Sequence, residues 1–150
     1  MIRTLIRFLK YEHSIHTKFG DVNNALKYYY ETYDKIEFNR NRNLLRQFKT
    51  NNSYSRMSLY DDNDFELAMI LWNKDYHSKI HNHESNCSFM IMEGNLLEAK
   101  YINVNSKFLF LGGFNRIESD ISNLTKNEYH NIFNVASEKS LTLHVYDKQK

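Results

Sequence analysis

Ile80-His81-Asn82-His83-Glu84-Ser85-Asn86-Cys87-Ser88-Phe89-Met90-Ile91-Met92-Glu93-Gly94 is the stretch whose reading decides the fold. Two histidines one residue apart open it. The only cysteine of the chain follows, and an apolar run ends on a glycine. On a strand, residues i and i+2 project from the same face. The spacing therefore predicts that His81 and His83 aim both imidazoles at one point, which is the start of a metal site. Glu84 would project from the opposite face and is left out of it.

Working outward, the residues after Asn51 form short β-branched, aromatic and apolar runs separated by Asn, Asp, Gly and Ser turns. Strands are predicted at Tyr54–Tyr60, Phe65–Trp72, Lys79–His83, Cys87–Met92, Leu96–Val104, Lys107–Leu111, Arg116–Glu118, His130–Val135 and Leu141–Tyr146. Such closely spaced strands indicate a sandwich or barrel. Gly94-Asn95 and Gly112-Gly113 are expected as hairpin turns. Asp61–Asp64 lacks the glycine and distal glutamate of a calcium loop, so a plain turn is expected there.

Residues 1–50 read as helical, packed as a cap on the barrel. Asp21 is placed as an N-cap, followed by one apolar face of Val22, Ala25, Leu26, Tyr29 and Tyr33. A short helix is predicted at Arg42–Phe48 with Leu44, Leu45 and Phe48 inward. Between the two helices, the alternating Asn and Arg of 39–43 read as a solvated turn rather than a phosphate-binding strip. The whole is expected to be one domain, 1–150, with a helical part (1–50) and a β-barrel (51–146).

The chain has 20 Lys+Arg against 18 Asp+Glu, a net charge of +2, which argues neither for nor against a polyanionic partner. Its single Cys excludes an intrachain disulfide and a thiolate metal cluster. Met1–Lys10 is too short and too charged to span a bilayer. A soluble, cytoplasmic, monomeric protein is expected, with no nucleic-acid or membrane partner.

Two further histidines, His130 and His144, sit in strand-like contexts, and either would complete a set of three nitrogen ligands with His81 and His83. His13, His16 and His77 have no partner pattern and receive no role.

His-x-His, a fourth position at Cys87 and Gly94 after six more residues together resemble the first motif of the cupins. His130-x-x-x-Asn134 resembles the core of the second. Within the cupins, the residues are most similar to the cysteine dioxygenases. Cys87 stands where most cupins place a metal-binding glutamate. Tyr54-Ser55-Arg56 resembles a substrate motif lying about 25 residues before the His-x-His pair. Ala68–Trp72, Cys87–Lys100 and Leu143-His144-Val145-Tyr146 carry the likeness further. Asn82 and Thr142 depart from the usual Asp and Ser. One residue fewer separates His83 from Cys87 than in typical animal members. The family continues past the last tyrosine with a Ser-Pro-Pro segment, so the chain, ending at Lys150, reads as a short member.

The resemblance implies a mainly β cupin, a jelly-roll barrel with N-terminal helices packed on it. It implies that His81, His83 and His130 hold Fe(2+), and that Arg56 and Tyr54 contact the carboxylate of L-cysteine. It also implies that Cys87 and Tyr146 are the pair that forms a thioether crosslink in some members, with His144 and Thr142 supporting Tyr146. The expected reaction joins both atoms of O2 to the thiol. The alternatives are another small thiol such as 3-mercaptopropionate, a peptide N-terminal cysteine, a non-catalytic metal-binding cupin, or a barrel without metal.

Overall fold

The computed structural model describes residues 2–15, 19–47 and 53–148. Phe48 and His16 lie outside them.

Three helices come first: α1 (Ile2–Ile15), α2 (Phe19–Thr32) and α3 (Lys35–Gln47). Asp21 falls in the first turn of α2 rather than at its N-cap, where its charge still favours the helix N-terminus. The α2 face Val22, Ala25, Leu26, Tyr29 is buried as expected. The short helix predicted at 42–48 is corrected to a longer one. Asp34 Oδ1 accepts the backbone N–H of Ile36 at 2.8 Å and of Glu37 at 3.3 Å, an N-cap that starts α3 ahead of the Asn/Arg stretch. The expected turn at 39–43 is therefore helix. Phe38 and Leu45, two turns apart, form its inward seam, and Leu44 is exposed rather than inward. Arg42 pairs with Glu93 at the end of a strand.

Eight strands follow: β1 (Tyr54–Asp61), β2 (Phe65–Trp72), β3 (Asn86–Glu93), β4 (Leu96–Val104), β5 (Lys107–Arg116), β6 (Ile121–Leu124), β7 (Glu128–Asn134) and β8 (Ser140–Asp147). They make two antiparallel sheets, β1-β2-β8-β3-β6 and β5-β4-β7. This is the jelly-roll that the resemblance implied.

The expected hairpins at Gly94-Asn95 and Gly112-Gly113 are not hairpins. Gly94, at φ +78°, carries the chain from β3 in one sheet to β4 in the other. The glycine pair lies inside β5, beside a bulge where β4 passes from Lys100 to Tyr101, a common place for glycine in a strand. The β4–β5 turn is instead Asn105-Ser106. Both residues have positive φ, as a type I′ two-residue hairpin turn requires. The predicted strand at Arg116–Glu118 is the end of β5 and a turn, and β6 has no counterpart in the sequence reading. At Asp61–Asp64 the plain turn is present: Asp62 Oδ1 accepts the backbone N–H of Asp64 and of Phe65 at 2.9 and 3.1 Å.

The helices lie over the outer face of the larger sheet rather than over an end of the barrel. Leu5, Leu9, Leu26, Phe38 and Leu45 pack on Phe65, Leu67, Met69, Met90, Leu141 and Leu143. Ile70, Trp72, Cys87, Phe89, Leu96, Leu124 and Ile132 fill the space between the sheets. Strand β2 is thus buried on both faces, which explains why Phe65–Trp72 is nearly all apolar.

Candidate metal centre

Segment 76–81 is not the regular strand predicted at Lys79–His83. It is an extended segment held against the free edge of β7. Tyr76 O accepts from Asn134 N at 2.8 Å and Ser78 N donates to Ile132 O at 2.9 Å. His81 and His130 then exchange both backbone hydrogen bonds, each 2.9 Å. Residues so paired stand directly opposite one another with side chains on the same face. His83 arrives two residues later. The imidazole ring centres stand 4.6 Å apart for His81 and His130, 5.1 Å for His81 and His83 and 5.2 Å for His83 and His130. One nitrogen of each ring lies within 4.8 Å of the others.

The free nitrogens are fixed by what the others bind. Lys79 O accepts from His81 Nδ1 at 2.9 Å, and Glu98 Oε1 accepts from His130 Nδ1 at 2.9 Å. Both rings are left with Nε2 available. His83 Nε2 and His130 Nε2 stand 3.1 Å apart. Two nitrogens about 2.1 Å from a common ion, at right angles to each other, would be about 3 Å apart, so the residues present fit a metal. Burial, with the neighbouring histidines, lowers His81 below its ordinary pKa and pushes His83 down to about 3. Both rings are neutral near pH 7, the form that binds metal.

Glu98, on β4, was missed by the sequence reading. It is fully buried and also accepts from Arg116 Nε at 3.0 Å and Ser122 Oγ at 2.8 Å. Burial alone would raise its pKa, but the His130 hydrogen bond and charge, with Ser122 and Lys100, outweigh it and hold Glu98 below its ordinary value. A carboxylate behind a ligating histidine fixes the ring and its tautomer. The available signal was periodicity: Glu98 shares the inward phase of Leu96.

A cleft of about 440 Å³ opens beside the histidines. All of the remaining predicted site residues except buried Cys87 border it: Tyr54, Arg56, His144 and Tyr146. Cys87 is the register partner of Tyr146, with β3 beside β8, so the two side chains are cross-strand neighbours. The Tyr54 ring centre lies 5.3 Å from that of Trp72 and 5.8 Å, edge to face, from that of Tyr76. The Arg56 guanidinium lies 5.5 Å from the Tyr146 ring centre, and its Nη2 is 2.8 Å from Glu66 Oε1. Neither Trp72 nor Glu66 was singled out in the sequence.

A hydrogen-bonded chain runs behind Tyr146. Trp72 Nε1 can only donate, so the Thr142 hydroxyl oxygen accepts it at 2.8 Å. The hydroxyl proton then goes to His144 Nε2 at 2.7 Å, because its other acceptor, Ile70 O, is at 3.4 Å. His144 therefore carries its proton on Nδ1, 3.2 Å from the Tyr146 oxygen and 3.8 Å from Cys87 Sγ. The Tyr146 oxygen accepts, and its own proton is free to point into the cleft. Burial keeps His144 neutral and raises the pKa of both Tyr146 and Cys87, so phenol and thiol remain protonated near pH 7.

A sequence model described as "Cysteine dioxygenase type I" matches residues 21–148. The chain belongs to the cysteine dioxygenase type I family. No curated protein matches the chain. Among solved structures, the cupin domain of Schizosaccharomyces pombe Cnp3 is similar at TM-score 0.55 and 14% identity, covering 70% of this chain and 72% of that one. An oxalate oxidase gives TM-score 0.55 at 15% identity over 66% of this chain and 53% of its own. KdgF from a Halomonas species gives 0.53 at 10% identity over 69% and 87%. At such identities these likenesses establish the cupin fold alone. Family membership makes the chain a dioxygenase-like protein, and its three histidines can hold a metal. Among the described residues no helix is long and apolar enough to cross a membrane.

Proposed function

We propose that this member of the cysteine dioxygenase family oxidises the thiol of L-cysteine to the sulfinic acid with O2, using Fe(2+) held by His81, His83 and His130. The observation that carries the reading is the meeting, in one cleft, of a three-histidine cluster, joined by no carboxylate among the described residues, and the Arg56–Tyr146 pair. Bound iron would supply the redox chemistry for joining both oxygen atoms of O2 to sulfur, which zinc cannot do. Three neutral ligands leave the dication's charge uncompensated, which favours a substrate arriving as a thiolate.

The chain's own residues do the rest. Arg56, charged at all working pH values, grips the α-carboxylate through parallel hydrogen bonds, with Tyr54 beside it at the mouth. Losing that grip is expected to weaken binding of a carboxylate-bearing thiol. Tyr146 donates its proton toward the reacting sulfur or oxygen, held in orientation by His144, Thr142 and Trp72. The aromatic wall of Tyr54, Trp72 and Tyr76 limits water. Cys87 and Tyr146, register partners on β3 and β8, would be the crosslinking pair, with O2 as the oxidant that takes up the two hydrogens the chain loses.

Iron-loaded protein incubated with cysteine and O2 is expected to yield cysteine sulfinic acid by mass spectrometry, and His81→Ala to lose both metal and product. Product no greater than an iron-only control would refute the reading. The intact mass of the same preparation reads the crosslink.

A further inference from the structure

The inner face of the larger sheet carries an acid beside the proposed substrate clamp. Register places Glu66 on β2 opposite Tyr146 on β8, and Tyr146 opposite Cys87 on β3. Arg56, on β1, stands opposite Ile70 and reaches along β2, past the small Ala68, to Glu66. Its Nη2 meets Glu66 Oε1 at 2.8 Å. The arginine side chain is 36% exposed and the glutamate only 17%.

Arg56 borders two clefts. One holds the three histidines; the other, of about 650 Å³, shares His83 and Tyr146 with it and is lined also by Glu66, Glu84, Lys126 and Lys148. Glu66 lines the second cleft and not the first. Nη2 contributes a proton to each of the two forks with which a guanidinium binds a carboxylate in parallel. A carboxylate on Nη2 therefore occupies one fork and repels an anion approaching the other.

We propose that Glu66 is a specificity-determining residue: a built-in carboxylate that occupies Arg56 and that a carboxylate-bearing thiol must displace or share. This rests on the reading above, in which Arg56 contacts the substrate's carboxylate. Glu66 weakens binding of cysteine and of other thiol acids. It does not penalise aminothiols that lack the carboxylate, so the chain discriminates less between the two classes than a site with an unpaired arginine.

The test is anaerobic calorimetry of the iron-loaded protein with L-cysteine and with cysteamine, where binding is read without turnover. Glu66→Gln keeps the shape and removes the charge. It is expected to bind cysteine about fivefold tighter, the span of a partly exposed ion pair, with cysteamine unchanged. Adding Arg56→Gln to that variant is expected to abolish the gain. Glu66→Ala repeats the measurement if the melting curve shows that the glutamine variant is unfolded. Equal shifts for both thiols, or weaker cysteine binding, would overturn the proposal, the latter making Glu66 a positioner of Arg56. If neither thiol binds the wild type, the cysteine reading and this inference fall together. A selective shift without sulfinic acid product sustains the inference and removes the dioxygenase reading alone.

Discussion

At the scale of single residues, the candidate metal centre depends on which nitrogen of each histidine is left free. Glu98 decides this for His130. Arg116 holds its far oxygen, Oε2, and Ser122 shares Oε1 with His130, so it cannot turn away from the ring. Glu98→Gln keeps the volume but loses the charge that makes His130 a stronger ligand. It is expected to weaken metal binding about 10- to 100-fold while the protein still folds, as read by chelator competition alongside a melting curve. Wild-type affinity in the variant would show that the carboxylate has no part in holding the ligand. The roles proposed for Arg56 and Tyr146 belong to the same scale, since each follows from one or two contacts.

At the scale of elements, the crossing from β3 to β4 is the most constrained step. Gly94 has φ +78°, and a Cβ built there would stand 2.3 Å from Ser140 Oγ. That hydroxyl is already committed: it accepts from Asn95 N at 3.2 Å and donates to Asn134 Oδ1 at 2.8 Å. Neither the backbone nor the neighbour can yield cheaply. Gly94→Ala is therefore expected to destabilise the protein by about 2 kcal/mol or more, seen as a lower urea midpoint. An unchanged midpoint would mean that β8 can shift away. The segment before His81 shows the opposite case. It has little regular structure of its own, and the edge of β7 fixes its path through backbone bonds to His130, Ile132 and Asn134.

At the scale of the whole molecule, the larger sheet separates two apolar layers. One lies under the helices; the other lies between the sheets and adjoins the histidines. Leu26 is fully buried in the first layer. Leu26→Ala is expected to cost about 2–5 kcal/mol, with metal bound per folded molecule unchanged, because the cavity opens on the far side of the sheet. Metal stoichiometry measured on the folded fraction checks this, and a lower value would show that the two layers are coupled.

The sequence by itself carried the fold class, because β-branched runs and turn residues at short spacing leave few architectures. It also named the three histidines and the residues around them, because motif spacing survives folding. It placed β2 and β4 residue for residue. It misplaced hairpins, since Gly94 and Gly112-Gly113 look alike in a string yet serve a sheet crossing and a bulge. Whether a turn joins paired strands is a tertiary fact. The tertiary structure alone decided that His81 meets His130 by cross-strand pairing, where strand periodicity had aligned only His81 with His83. It alone brought Glu98 behind His130 and Glu66 beside Arg56. These acids act on partners 32 and 10 residues away in sequence; Glu98 meets His130 only through sheet packing, and Glu66 meets Arg56 through a hairpin register that the turn residues alone do not set.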